Sequence, residues 1–493
     1  MITFDKKNQH RLFLIKKQKN INFFLLRISR KFYVFLQVKH QKMKKRRFFV
    51  LCLCILLLAS MGLHAQNTDI QGYEINFSVL NINDSYLYLQ GYYGQEAYIF
   101  DSAKVKGHKS FVFKNKKRMM PAGVYTLTDR FGNEYLDLII DKSRNFSITG
   151  GNLDRLNSSA TVEGSEENAQ FVEFQKQMAT VGTYQETFPQ TIDNTLTLFY
   201  ESTPESFLGH YIKAKYNLNP NLPHAEANDS DITQLYQLLI DHYFDHYTFD
   251  DARLLRTPIY LDLSNYFFEV LPQEPILLRV KADEFLKKFK DKESYEYYTA
   301  LLLSLFEHSF YNVVHDQVFT ELFDEHCNGK DVSTIPEDLQ NYYQRSANRK
   351  RKLLPGETVP ALVSYDINNG KHSTSDIDKD WIILWFWDAD CDECVEETPK
   401  LNEFYNEFAA YYNLEVYAVA ITDDLEKWDK FCKKNDLKWI NVNYYMNDPN
   451  YDFIDYFDII STPVIYLLDK KHTIITRNFP LEELHEKLRS VKD

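Results

Sequence analysis

The stretch that decides the fold of the C-terminal part of this chain is WIILWFWDADCDECVEETPKL, residues 381–401. Its apolar run, Trp381 to Trp387, predicts a buried β-strand. A short acidic turn follows, and then an amphipathic helix is predicted from apolar residues at helical spacing, namely Val395, Leu401, Phe404, Tyr405 and Phe408. Cys391 and Cys394 stand at the start of this helix, where free N–H groups and the helix dipole favour a thiolate on the first cysteine. Because the second cysteine is about one turn further on, the pair can close into a disulfide, which indicates a redox-active CxxC.

The same two cysteines could instead form half of a zinc site, and the rest of the sequence bears on that choice. The chain has no second CxxC to complete a tetrahedral site. Pro399 follows in the first turns of the helix, and Thr462-Pro463 comes just before a second apolar strand. This combination resembles the thioredoxin fold, in which such a proline has a cis peptide bond and packs beside the CxxC. The sequence therefore favours a redox pair, with a structural cysteine pair in an inactive domain as the alternative.

Residues 43–65 have the pattern of a secretory signal peptide. Four basic residues come first, an apolar segment runs from Phe48 to Leu58, and a small residue, Ala65, stands at the expected cleavage point. The apolar segment is short for a membrane span, which needs about 20 residues. We therefore expect cleavage and a mature chain that begins near Gln66, with an uncleaved signal anchor as the alternative.

The net charge of the chain changes sign across the predicted signal peptide. Residues 1–42 carry eleven Lys or Arg and one acid, Asp5. They precede a complete signal peptide, so we predict that they are a non-native extension and that the biological start is Met43; a basic leader that contacts membrane or nucleic acid is the alternative. Residues 66–493 carry 42 basic and 69 acidic residues, a net charge of −27. Such a surface repels nucleic acid and suits a soluble, exported protein.

The cysteine content fits a catalytic pair better than a disulfide scaffold. Four cysteines lie beyond the signal peptide: Cys327, Cys391, Cys394 and Cys432. Four cysteines are too few for a fold held together by disulfides. The number matches one redox pair plus two isolated thiols in an oxidising compartment. We predict no metal site and no cofactor other than the redox-active disulfide Cys391–Cys394.

Three domains are predicted after the signal peptide. Residues 68–163 contain short alternating or apolar runs separated by turn residues, which is typical of an antiparallel β-sandwich. Residues 164–345 change to amphipathic helical patterns rich in Phe, Tyr and Leu. A short basic linker is predicted over residues 345–360, with a solvated hinge at Arg349–Lys352; a partner-docking site is the alternative for this charge run. Residues 354–493 alternate β and α, which predicts a thioredoxin-like α/β layer. The fold class is therefore multidomain: an all-β sandwich, an all-α middle domain and a C-terminal α/β domain.

The C-terminal domain resembles the TlpA-like branch of exported thiol-disulfide reductases. The matching stretches are GETVPAL, ILWFWDADCDEC, EETPKL, Thr462-Pro463 and YLLD. The whole architecture resembles a group of Bacteroidetes exported proteins, in which an uncharacterised β domain and a helical middle domain precede the thioredoxin-like domain. The phrases DSAKV, VEGSEENAQF and DHYTFDDARLLRTPIY resemble recurrent phrases of that group.

The resemblance implies roles for single residues. Cys391 corresponds to the attacking cysteine and Cys394 to the resolving one. Glu397 falls on a glutamate that influences the active-site thiols in this branch, and Pro463, preceded by Thr462, matches the cis-proline. Two positions depart from thioredoxin: its buried acid six residues before the first cysteine is Trp385 here, and its tryptophan just before that cysteine is Asp390.

The acidic turn itself predicts a reducing pair. Asp390, Asp392 and Glu393 surround Cys391 with negative charge, which disfavours a thiolate and opposes the helix dipole. A dithiol whose thiolate is less stabilised is a better reductant. The alternative is that the acids point into water and are screened, so that their effect is small.

These features predict an enzyme of the periplasm or cell envelope that reduces disulfides in exported proteins. Its expected partners are disulfide-containing exported proteins and a membrane thiol carrier that restores the dithiol; no nucleic acid partner is expected, and membrane contact only through an uncleaved anchor. Two alternatives stay open. A peroxiredoxin-like peroxidase would need Thr or Ser three residues before the cysteine, where this chain has Asp388. A binding or assembly module would use the β and helical domains, with the redox domain as an accessory.

Overall fold

The computed structural model describes residues 72–182, 196–216 except 198, 240–307 except 260, 262–266 and 269–270, 313–447, and 452–492. The predicted N-terminal extension, the predicted signal peptide and its cleavage point lie outside these residues. No helix within the described ranges has both the length and the apolar character that crossing a bilayer requires. The predicted fold class is confirmed in its three parts, a β-sandwich, a helical region and a C-terminal α/β domain.

The β domain consists of eight strands in two four-stranded sheets. The strands are β1 (Tyr73–Leu80), β2 (Tyr86–Tyr93), β3 (Glu96–Lys104), β4 (Ser110–Asn115), β5 (Gly123–Thr128), β6 (Glu134–Ile140), β7 (Asn145–Asn152) and β8 (Thr161–Glu163). One sheet has the order β4-β1-β7-β8 and the other β3-β2-β5-β6. Strands β1 and β7 are parallel, and the other neighbours are antiparallel.

Alternation of apolar residues builds the core of this domain. In β1 every second side chain, from Tyr73 to Val79, is buried, as the two-residue period of a strand requires. Strand β5 differs because all six of its residues are buried. Tyr125 and Leu127 pack into the sandwich, whereas Val124 packs against the helical region. The β domain and the helical region therefore share a packed boundary at β5.

A short helix, α1 (Leu156–Ser159), precedes β8, and longer helices follow in the described parts of the next region. They are α2 (Glu166–Gly182), α3 (Phe207–Lys215), α4 (Pro275–Leu286), α5 (Lys292–Glu307), α6 (Val313–His326) and α7 (Glu337–Arg351). Their core is rich in aromatic rings, for example Phe285, Phe289 and Tyr298, which contact one another at centroid distances of 4.7–5.4 Å. Such clusters bury large apolar areas, and this explains why the region is so rich in Phe and Tyr.

The predicted basic linker is wrong over its first half, which is helical. Helix α7 continues to Arg351, and one face of its last turns, formed by Ser346, Ala347 and Lys350, is buried. The Lys350 ammonium lies 2.5 Å from the Asp316 carboxylate of α6. A run of four cations normally stays in water, but here a buried carboxylate 34 residues earlier pairs with one of them.

The C-terminal domain is a seven-stranded sheet with helices on both faces. Its strands are β9 (Val363–Tyr365), β10 (Lys371–Ser373), β11 (Trp381–Trp387), β12 (Leu414–Ala420), β13 (Ile440–Asn443), β14 (Val464–Asp469) and β15 (Ile474–Arg477). Its helices are α8 (Asp392–Tyr412), α9 (Leu425–Lys434), α10 (Phe453–Tyr456) and α11 (Leu484–Lys492). The strand order is β10-β9-β13-β12-β11-β14-β15, with β11, β12 and β13 parallel and β14 antiparallel to β11.

Strand β11 is buried on both faces, which explains its unbroken apolar sequence. Ile383, Trp385 and Trp387 pack on one side with helices α8, α9 and α11, and the alternate residues pack on the other side. Because β14 is antiparallel to β11, Phe386 near the end of β11 pairs with Val464 at the start of β14. The turn before α8 and the loop before β14 therefore meet at one end of the sheet.

Candidate active site

Cys391 caps the N-terminus of helix α8. Its backbone is extended (φ −88°, ψ 116°), and its Sγ accepts a hydrogen bond from the backbone N–H of Cys394 at 3.2 Å. The N–H of Cys391 donates to the carbonyl of Asp388 at 3.2 Å, which closes the turn after β11. The side chain is half-buried. A sulfur in this position receives an N–H and faces the positive end of the helix dipole, both of which stabilise a thiolate.

Cys394 differs from Cys391 in its surroundings. It is completely buried in the core on the α8 side of the sheet. Burial, followed by the contact with Cys391, raises the pKa of the Cys394 thiol well above its ordinary range. The pair is thus asymmetric: one sulfur can meet a substrate, and the other is a protonated thiol behind it.

The loop that contains Thr462 and Pro463 completes the site. The peptide bond between these residues is cis, as the resemblance implies. The S–H of Cys391 lies 3.3 Å from the carbonyl oxygen of Thr462, to which it can donate. A backbone acceptor is therefore held directly against the half-buried sulfur of Cys391.

A tryptophan occupies the position where thioredoxin has a buried acid. Trp385 is buried, and its indole N–H donates to the hydroxyl of Thr398 in α8 at 3.1 Å. The pair is satisfied and cannot exchange protons at neutral pH. A proton from Cys394 must therefore leave by another route than a carboxylate at this position.

The predicted acidic turn is exposed to solvent. Its three acidic residues are all exposed: Asp390, Asp392 and Glu393. The structure adds a partner that the sequence did not reveal: the ammonium of Lys427, in helix α9, pairs with the carboxylate of Asp390. Part of the negative charge near Cys391 is thus compensated, while Asp392 and Glu393 have no ion pair among the described residues. Solvent exposure of the acids and the Lys427 ion pair both weaken the expected effect of this charge on a Cys391 thiolate, without removing it.

Glu397 lies one turn after Cys394 and is partly buried. Its carboxylate accepts a hydrogen bond from Lys400 at 2.7 Å, and its side chain is 19% exposed. Within the described residues, no hydrogen bond joins it to either thiol. Any influence on the thiols would act through space, so its role stays a prediction.

The two other cysteines of the described residues are poor nucleophiles. Burial raises the pKa of both Cys327 and Cys432 to about 12. Cys327 directly follows helix α6 and lies in the helical core, and Cys432 packs from α9 against the sheet. Neither is near the Cys391 turn in sequence, and each is a thiol at neutral pH.

One group of metal-ligating side chains occurs in the described residues, but hydrogen bonds account for it. It consists of Asp283, Glu325 and His326 in the helical region. One nitrogen of His326 lies 2.8 Å from Asp283 and the other 2.7 Å from the hydroxyl of Tyr295. Arg279 donates hydrogen bonds to the carboxylates of Asp283 and Glu325. With both ring nitrogens occupied and an arginine between the acids, this group is a structural network.

Two cavities also lie away from the cysteine pair. The larger, about 570 Å³, is lined by charged side chains that include His210, Asp251 and Arg253 in the helical region. The smaller, about 380 Å³, lies in the C-terminal domain beside Trp428 and Cys432. Neither cavity is lined by Cys391 or Cys394.

Two families match parts of the chain. Residues 355–477 match the AhpC/TSA family, and residues 73–171 match a domain of unknown function, DUF4369. No curated protein matches the chain.

Several solved structures resemble parts of this chain. A domain of a possible thiol-disulfide isomerase from Cytophaga hutchinsonii is 33% identical, over 28% of this chain and 93% of that one, with a TM-score of 0.27. The thioredoxin domain of a thiol-disulfide oxidoreductase from Bacteroides vulgatus is 24% identical, over 28% of this chain and 98% of that one, with a TM-score of 0.26. A thioredoxin-like protein from Bacteroides caccae is 14% identical, over 54% of this chain and 88% of that one, with a TM-score of 0.38.

Proposed function

Since residues 355–477 belong to the AhpC/TSA family, in its thioredoxin-like thiol-disulfide oxidoreductase branch, we propose that this protein is an exported enzyme that reduces disulfides of envelope proteins through Cys391 and Cys394. The observation that carries the proposal is the asymmetry of the two sulfurs. Cys391 is half-buried at a helix N-terminus, whereas Cys394 is fully buried and one turn behind it. This is the arrangement that a nucleophile and a resolving thiol require.

The first step is attack by the thiolate of Cys391 on a substrate disulfide. A bond forms between Cys391 Sγ and one substrate sulfur, the substrate S–S bond breaks, and the other substrate sulfur leaves as a thiolate that takes up a proton. The N–H of Cys394 stabilises the attacking sulfur, which it already contacts at 3.2 Å. The Thr462 carbonyl holds the protonated form of the same sulfur in place before attack.

The second step is resolution by Cys394. Its sulfur attacks Cys391 Sγ, the mixed disulfide breaks, and the proton of Cys394 passes to the departing substrate sulfur. Two electrons and two protons have then moved from the dithiol to the substrate, which leaves as two thiols. A membrane thiol carrier is proposed to return the enzyme to its dithiol form, because an oxidising compartment would not do so.

Trapping of mixed disulfides tests this function. The Cys394→Ala variant keeps the nucleophile but cannot resolve, so it should accumulate envelope proteins bound through Cys391. The matched control is the Cys391→Ala, Cys394→Ala double variant, which should trap nothing. In vitro, wild-type protein with dithiothreitol should reduce insulin, and Cys391→Ala should not.

The same experiments separate the two alternatives. If reduced wild-type protein consumed hydrogen peroxide but left insulin intact, the peroxidase alternative would replace the proposal. If Cys391→Ala supported the full cellular function, the redox domain would be accessory and the protein a binding or assembly module. Export is tested separately, by N-terminal sequencing of the protein isolated from the envelope.

A further inference from the structure

The C-terminal domain is joined to the helical region by a buried ion network. Asp316, in the first turn of α6, contacts Lys350 of α7 at 2.5 Å and also pairs with Arg477 at the end of β15. All three side chains are at most 8% exposed. Charges so buried are stable only when paired, so this network fixes the position of β15 against the helices.

A second connection reaches the same part of the C-terminal domain from α7. The guanidinium of Arg349 lies 3.0 Å from the carboxylate of Asp458, which is 6% exposed, and 3.6 Å from that of Asp455. The nearer contact is an ion pair without the alignment of a hydrogen bond. Asp458 directly follows Phe457, the residue after helix α10.

Both connections meet just before the loop that contacts Cys391. Arg477 pairs with Tyr466 across β14 and β15, and its guanidinium lies 5.7 Å from the centroid of that ring. The buried hydroxyl of Tyr466 in turn donates to the carbonyl of Phe457 at 2.7 Å. Residues 457 and 458 are thus held by the helical region from two sides, and Thr462 follows four residues later.

We propose that Arg349 of the helical region and the Asp316–Arg477 pair, which joins the helical region to β15, are positioning residues that hold the 457–463 segment, and with it the Thr462 carbonyl, against Cys391. The inference rests on the proposed function, and it gives the helical domain a role in that function. The helical domain need not touch the substrate, because it acts through the loop that borders the reactive sulfur. Release of the segment would withdraw the Thr462 carbonyl and expose Cys391 further, so the sulfur would become more reactive and less selective.

Two conservative pairs of variants test this proposal in the full chain. Arg349→Met removes the contact to Asp458; its control, Arg351→Met, removes an arginine of similar exposure on the same helix that pairs only within the helical region, with Asp324. Tyr466→Phe removes the hydroxyl that donates to the carbonyl of Phe457. Its control is Tyr417→Phe, which removes a hydroxyl of the same sheet that donates to the carbonyl of His372.

The readout is the rate at which iodoacetamide alkylates Cys391 in the reduced protein at pH 7, together with the reduction potential of the pair. We expect Arg349→Met and Tyr466→Phe to raise the alkylation rate roughly threefold or more and to shift the potential, while both controls match wild type. Circular dichroism checks the fold of each variant, and if one test variant unfolds, the other pair decides.

Equal rates and potentials in wild type, in the test variant of a folded pair and in its control would overturn the positioning role. That result differs from failure of the proposed function, in which wild-type Cys391 is alkylated normally but insulin is not reduced. Larger effects in the controls than in the test variants would also overturn it, because they would point to general loosening of the domain.

Discussion

The sulfur of Cys391 and the backbone carbonyl of Thr462 lie 3.3 Å apart, although 71 residues separate them in the chain. The antiparallel pairing of β14 with β11 brings them together, because it places the start of one strand beside the end of the other. The Cys391 thiol is therefore bounded by a helix N-terminus on one side and a backbone carbonyl on the other. The other three cysteines that the structure describes lack this setting, and the difference can be measured.

Limited alkylation of the reduced protein should modify Cys391 before any other cysteine. At pH 7 the buried Cys394 remains a thiol because burial raises its pKa. Cys327 and Cys432, with pKa values raised by burial to about 12, are almost entirely protonated as well. Peptide mass mapping after a short exposure to iodoacetamide reads out the order. Cys391→Ala should abolish the fast modification, and faster labelling of Cys432 or Cys327 would contradict the assignment.

The acidic turn should give the pair a reducing potential, and Lys427 should moderate it. Equilibration with glutathione is expected to give a value nearer thioredoxin, about −270 mV, than DsbA, about −120 mV. Lys427→Met leaves the Asp390 charge uncompensated, so it should be more reducing than wild type, whereas Asp390→Asn should be less reducing. Because these groups are exposed, each shift is expected to be on the order of 10 mV and to fade with salt.

Lys430→Met is the control for this series, because it removes the same charge from an exposed position on the same helix. It should leave the potential unchanged. Shifts of the same sign in Lys427→Met and Asp390→Asn would refute the electrostatic explanation, as would a wild-type potential at the oxidising end.

Glu397 is expected to tune the thiols through space. A partly buried carboxylate one turn from Cys394 disfavours a nearby thiolate, so Glu397→Gln should move the thiol titration to lower pH. Ultraviolet absorbance of the thiolates follows the titration. The neighbouring Glu396 is exposed, and Glu396→Gln is therefore the matched control. If both variants titrate like wild type, Glu397 is an ordinary helix residue that pairs with Lys400.

Local patterns in the sequence were sufficient to predict strand β11, the strand that follows Thr462-Pro463, and the cysteine turn. The apolar run of β11, the helical spacing after Cys394 and the Thr462-Pro463 step each depend on residues that are close in the chain. The fold class followed from the order of such patterns. The prediction for β11 is correct because an unbroken apolar sequence is what a strand buried on both faces requires.

The contacts that the sequence did not reveal are ion pairs between distant segments. Lys427 and Asp390 are 37 residues apart, and Asp316 and Arg477 are 161 apart. The sequence position of a charged side chain does not identify its ion-pair partner, and most charged side chains are exposed to solvent. For that reason the cations near the end of α7 were predicted to be a solvated hinge, whereas Lys350 is buried.

The buried network should make Asp316 far more important for stability than another acid of the same helix. Asp316→Ala leaves Arg477 and Lys350 buried without the carboxylate that pairs with both, so the free energy of unfolding should fall by about 3–5 kcal/mol. Asp324→Ala is the control, because Asp324 forms a half-exposed pair with Arg351, and it should cost about 1 kcal/mol or less. Urea unfolding followed by circular dichroism measures both. Similar losses in the two variants would show that the network is not stabilised as its burial implies.

A different buried carboxylate should make stability depend on pH. Burial alone would raise the pKa of Asp251, but hydrogen bonds from His210 and Arg253 outweigh it and lower the pKa to about 2. Since the unfolded value is about 4, the stabilisation is fully present above pH 4 and is lost as the pH falls from about 4 to 2. Wild type should therefore exceed Asp251→Asn in free energy of unfolding by about 2 kcal/mol at pH 6, with a difference that shrinks below pH 4. Asp250→Asn, which changes an exposed neighbour 3.7 Å from Lys290, should show little difference at either pH. A gap between wild type and Asp251→Asn that stayed constant down to pH 2 would mean that the carboxylate is not held ionised by these partners.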